Sequence, residues 1–97
     1  PFGEEISSKR LEQIGLAEEW IIKQGFSKVR VRSQGLSARI ELPANEIDKF
    51  LSIIERKKLI QYFLSLGFHS ISIDLEGLIS GKLTRDINKA YLNNKLQ

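Results

Sequence analysis

The chain has 97 residues, of which 41% are hydrophobic and 28% charged, with a net charge of +3, two prolines, one histidine, and neither cysteine nor methionine. That amount of apolar material suits one core and one domain, and charge interrupts every apolar run well before the roughly 20 residues a membrane-spanning helix needs. Without cysteine there is no disulfide framework, thiolate chemistry or cysteine-ligated metal, and one histidine rules out a multi-histidine metal site. The acidic start, Pro1-Phe2-Gly3-Glu4-Glu5, lacks the apolar stretch of a signal peptide, so a cytoplasmic, membrane-free protein is expected. The absence of methionine implies a trimmed chain or a piece of a longer one.

After Ser7 and Ser8, either of which can cap a helix, Leu11, Ile14, Ala17 and Ile21 recur at helical spacing, and Gly25 is placed to end the element. Glu18 and Glu19 then read as a solvated pair. The run Lys28-Val29-Arg30-Val31-Arg32 alternates with the period of a strand, as does Ala38-Arg39-Ile40-Glu41-Leu42. Between them Ser33-Gln34-Gly35 reads as the turn of a hairpin, with Gly35 supplying a positive φ. Leu36 reads as the start of the second strand, on its apolar side.

Pro43 stops that strand, and Asn45 reads as the cap of a helix with Asp48 in its first turn. From Asn45 to Leu66 the apolar stripe changes phase. Ile47, Leu51 and Ile54 form one stripe, and Leu59, Ile60, Phe63 and Leu66 another, which predicts a break between Ser52 and Arg56. The run Glu55-Arg56-Lys57-Lys58 reads as a solvated face. After Gly67, the run His69-Ser70-Ile71-Ser72-Ile73-Asp74-Leu75 is a third alternating strand, in which His69 falls on the apolar parity as a partly buried structural histidine.

Gln24-Gly25-Phe26 and Leu66-Gly67-Phe68 each lead from a helix end into a strand. The expected fold is therefore α+β, in the order α-β-β-α-β. A three-stranded sheet carries helices on one face and a charged open face on the other, with room for a fourth strand supplied from elsewhere. Residues 1–82 form the domain, and residues 83–97 a helical or frayed tail, with Leu83, Ile87, Ala90 and Tyr91 on one side.

The open face gathers Arg30, Arg32 and Arg39 with Glu41 and Asp74. Guanidinium groups make paired charge-assisted hydrogen bonds to phosphate, so the three arginines are candidate phosphate ligands. Cross-strand ion pairing and plain solvation are the alternatives, especially for the two carboxylates. No nucleophile with its base can be assembled, no phosphate-cradling glycine loop is present, and no metal ligands can be assigned.

The ordered set Pro1-Phe2-Gly3-Glu4-Glu5-Ile6-Ser7, Ala17-Glu18, Gly25-Phe26, Val29-Arg30-Val31-Arg32, Ala38-Arg39-Ile40-Glu41, Leu66-Gly67-Phe68, Asp74-Leu75-Glu76-Gly77 and Ser80-Gly81 resembles the C-terminal part of a known family. These are the ATP-dependent sacrificial sulfur transferases, PP-loop enzymes that help build the nickel-pincer nucleotide of lactate racemase. The resemblance implies an upstream PP-loop domain using ATP and Mg, a sacrificial cysteine shortly before Pro1, and association into trimers or hexamers. It further implies that Arg30 and Arg32 hold substrate phosphate and that Glu18 is a carboxylate near the sulfur site. The chain departs from the family's usual pattern at Ser33, Gln34 and Leu36, and again from Leu78 to Lys82.

The leading expectation is an accessory domain, not catalytic alone, that binds a nucleotide or other phosphate ligand and assembles the oligomer of such an enzyme. The other two are a pure protein–protein interaction module and a small basic nucleic-acid binder.

Overall fold

The computed structural model describes residues 7–78. Helix α1, Ser8–Lys23, leads into the hairpin β1, Arg30–Gln34, and β2, Ser37–Glu41; α2, Ala44–Ile53, and α3, Arg56–Leu66, then cross to β3, Ser70–Ile73. The sheet has the order β1-β2-β3, with β1 and β2 antiparallel and β2 and β3 parallel. The α+β class matches the expectation, and the element order does so with the second helical region divided into α2 and α3. The expected tail at residues 83–97, like the end of the expected domain beyond residue 78, lies outside the described residues.

Local chemistry sets the helix ends. Ser7 is the cap of α1, its hydroxyl accepting from the Arg10 N–H at 3.1 Å, and Lys23 stands in the last turn where a cation suits the helix dipole. Gly25 and Gly67 follow their helices with φ of 106° and 111°, the left-handed region that glycine enters without steric cost. The cap of α2 is Pro43 rather than Asn45, and no side chain caps it; the acidic residue of its first turn is Glu46, not Asp48. Proline, with its fixed φ, feeds the chain directly into the helix, so Asn45 falls inside it. The predicted break is present: α2 stops at Ile53 and α3 starts at Arg56, with Ile54 in extended conformation between them.

The first strand of the hairpin lies two residues further along the chain than the alternation suggested, starting at Arg30 and running to Gln34. Gln34 pairs with Ser37, so the loop is Gly35-Leu36 and Leu36 is an exposed turn residue, not a strand residue facing the core. Gly35 at the first loop position has φ 58° while Leu36 after it takes no positive φ, the pattern of a type II′ turn. That turn fixes the register Arg30↔Glu41, Arg32↔Arg39.

One face of the sheet is covered by the helices along β1 and β2, while at β3 Ile71 and Ile73 stay half-buried and border an apolar cleft of about 260 Å³ with Phe50 and Leu59. Val31, Ala38, Ile40 and Leu42 pack with Ala17 and Ile21 of α1 and with Phe50, Leu59 and Phe63 of the other helices. The two glycine–phenylalanine pairs contribute equivalently: Phe26 and Phe68 are fully buried, Phe26 edge-on to Phe50 at 5.2 Å and Phe68 tilted on Phe63 at 5.9 Å. Each such side chain contributes roughly 1.5–3 kcal/mol by leaving water. Phe50 takes the buried position on α2 where the stripe pointed to Leu51, which is exposed, as is Ile60 on α3. Leu11 is likewise exposed, on the first turns of α1, and His69 is exposed because it precedes β3 rather than joining it. Its backbone N–H still donates to the Leu36 carbonyl at 2.7 Å.

After β3 the chain folds back on the end of β2. Asp74 closes a turn, its carboxylate accepting from the Glu76 N–H at 3.0 Å, and the Leu78 N–H donates to the Leu42 carbonyl at 2.6 Å. Gly77, at φ 86°, lies where a Cβ would come within 2.7 Å of that carbonyl oxygen. Only glycine fits there. No described helix is long and apolar enough to cross a membrane.

Candidate functional site

The second face of the sheet presents the charged side chains. Residues opposite one another across a strand pair share a face, so the register puts Arg30, Arg32, Arg39 and Glu41 together, and Arg39 opposite Ser72 extends the row toward β3. Ser37 and Ser70 close the other end, their hydroxyls 2.6 Å apart. Lys28, which alternates with Arg30 and Arg32 in the sequence, is exposed but precedes β1.

The charges on this face are not equivalent. Glu41 is buried, 7% exposed, and accepts from Arg32 Nε through Oε1 at 3.2 Å and from Arg39 Nε through Oε2 at 3.2 Å. Arg39 Nη2 also stands 3.1 Å from Oε2, and Asp74 Oδ2 lies 4.0 Å from Arg39 Nε. The cross-strand pairing held open for Glu41 and Asp74 is thus present, and Arg39 is held between two carboxylates. Arg32 gives only its Nε to this network. Arg30, although opposite Glu41, has no carboxylate partner among the described residues.

Arg30 and Arg32 also border a cleft of about 430 Å³ between β1 and α1, whose other walls include Leu11, Ile14, Gly15 and Glu18. Glu18 does not stay with Glu19 as a solvated pair. Glu19 bonds Lys23 at 3.1 Å one turn on, whereas Glu18 Oε2 accepts from the Val31 N–H at 2.9 Å. This N–H belongs to an edge strand and would otherwise be left without a sheet partner, so the carboxylate stitches α1 to β1. The sequence hints at this: Glu18 follows Ala17 and is four residues past Ile14, at the border of the buried stripe.

The structure therefore brings Glu18, Arg30 and Arg32 to one cleft and places Arg39, Glu41 and Asp74 beside it. Two adjacent guanidinium groups with free N–H donors, next to an apolar wall from Leu11 and Ile14, can grip an oxyanion while an uncharged part of the ligand lies on the wall. No cluster of metal-ligating side chains is present among the described residues. The basic run at Arg56-Lys57-Lys58 is exposed on the far helix, with Lys58 3.4 Å from Glu55.

No family model matches the chain. It is 43% identical over 89 residues to an uncharacterised protein of Synechocystis, covering 92% of this chain and 33% of that protein. It is 36% identical over 92 residues to the pyridinium-3,5-bisthiocarboxylic acid mononucleotide synthase of Lactiplantibacillus plantarum, covering 95% of this chain and 33% of the synthase. The chain spans about a third of the length of the curated relatives it matches.

Proposed function

We propose that this chain is a segment of a sulfur transferase of the kind to which that mononucleotide synthase belongs, and that its cleft between α1 and β1 holds a phosphate of the substrate or nucleotide. The similarity in sequence supports the first part, since 36% identity persists over 92 residues. One observation carries the second: Arg30 and Arg32 stand side by side at a cleft, Arg30 without a carboxylate and Arg32 with both terminal nitrogens unused among the described residues. A phosphate there would take two guanidinium forks, and charge-assisted hydrogen bonds of that type contribute about 1.5–3 kcal/mol each.

In this reading the segment binds and orients; the chemistry belongs to the rest of the enzyme. A PP-loop domain would activate the substrate carboxylate with ATP and Mg, and a cysteine upstream would donate the sulfur. The same reading has copies of the enzyme associate through this region and places the enzyme in the cytoplasm. Calorimetric titration with AMP and with adenosine tests the phosphate site. AMP should bind and adenosine should not, and Arg30→Ala or Arg32→Ala should weaken AMP by roughly tenfold or more. Equal binding of AMP by wild type and both variants would remove the site.

A further inference from the structure

We infer that Glu41 is a positioning residue: it clamps the Nε edge of Arg32 so that the outer edge of the same guanidinium is held toward the cleft. The inference rests on the phosphate reading for its purpose, but its geometry stands on other ground. Glu41 is the one buried charged residue among the described ones, and a carboxylate out of water persists only when its oxygens are taken by donors. Both are: Oε1 by Arg32, Oε2 by Arg39, and Asp74 stands behind Arg39. A flexible arginine on an open sheet face normally samples many rotamers, and ordering it is a cost that ligand binding must overcome. The chain Asp74–Arg39–Glu41–Arg32 meets that cost within the folded protein. Arg39, counted from sequence with the phosphate ligands, is on this view a brace whose Nε and Nη2 are already engaged with Glu41. Arg30, with no such brace, would be ordered by the ligand itself.

The sign of one experiment separates this from simple electrostatics. Glu41→Gln removes a negative charge from beside two arginines, so charge alone would tighten anion binding. Positioning demands the reverse: AMP affinity falls by about tenfold, the scale of one charge-assisted hydrogen bond. Unchanged or tighter AMP binding by folded Glu41→Gln overturns the inference. A second measurement needs no ligand and no buried substitution. In proton–nitrogen spectra of the wild-type chain, with side-chain signals assigned by their loss in Arg30→Lys and Arg32→Lys, the Arg32 Nε–H should exchange with water at least about tenfold more slowly than that of Arg30. Equal exchange rates overturn the clamp even if Glu41→Gln fails to fold. Failure of the wild-type chain to bind AMP would sink the phosphate reading instead, and the exchange rates would still decide the clamp.

Discussion

The two faces of this sheet are built on opposite terms. On the covered face Val31, Ala38, Ile40 and Leu42 meet the protein's own helices, and apolar contact has no directional demands. On the open face the groups are charged and directional, and their needs are met unevenly: Glu41 is engaged through both oxygens, Arg39 through Nε and Nη2, Arg32 through Nε alone, and Arg30 not at all among the described residues. The difference teaches where to look for function. A face packed on its own helices supplies stability, whereas a face with charged donors left over beside a cleft is equipped for something that is not part of the fold.

Substitutions on the two faces should separate these roles. The largest effect is expected from Phe63→Ala, which empties a fully buried ring site at the meeting of α3 with Phe68; urea unfolding should show a loss of about 3–5 kcal/mol. A loss under 1 kcal/mol would mean that the covered face is not the core described. Gly77→Ala forces a Cβ against the Leu42 carbonyl at a positive φ, and should cost about 2–3 kcal/mol in the same assay. Ser7→Ala removes one cap bond from α1 and should cost about 1 kcal/mol. At the small end, Arg30→Ala should leave stability within about 0.5 kcal/mol while weakening AMP, because its side chain supports nothing in the fold. A large destabilisation by Arg30→Ala would blur the contrast between the faces and count against a binding role.

Much of the covered face could be read from the chain, because a period of two or of 3.6 depends only on local order. The alternation placed Val31, Ala38 and Ile40 inside, and the change of phase after Ile54 located the break between α2 and α3. The misses share a cause. Whether Leu36 is a strand or a turn residue depends on hairpin register, and whether Leu51 or Phe50 is buried depends on how α2 lies against Phe26. These are tertiary facts. On the open face the residue types were legible as a set, but not their division of labour: which arginine Glu41 would hold was decided by rotamer and register, and the bond from the Val31 N–H to Glu18 joins residues 13 apart in sequence. His69 was misplaced for a simpler reason, since β3 begins one residue after it.

The central claim is that the unused donors of the open face, and not the helix-covered side, meet a phosphate ligand. Backbone amide shifts of the 97-residue chain, followed while AMP is added, test it most directly. The account predicts saturable shifts confined to residues 11–18 and 30–33, which line the cleft, with Phe50, Leu59 and Phe63 still. Shifts centred on α2 and α3, or none at saturating AMP, would contradict it.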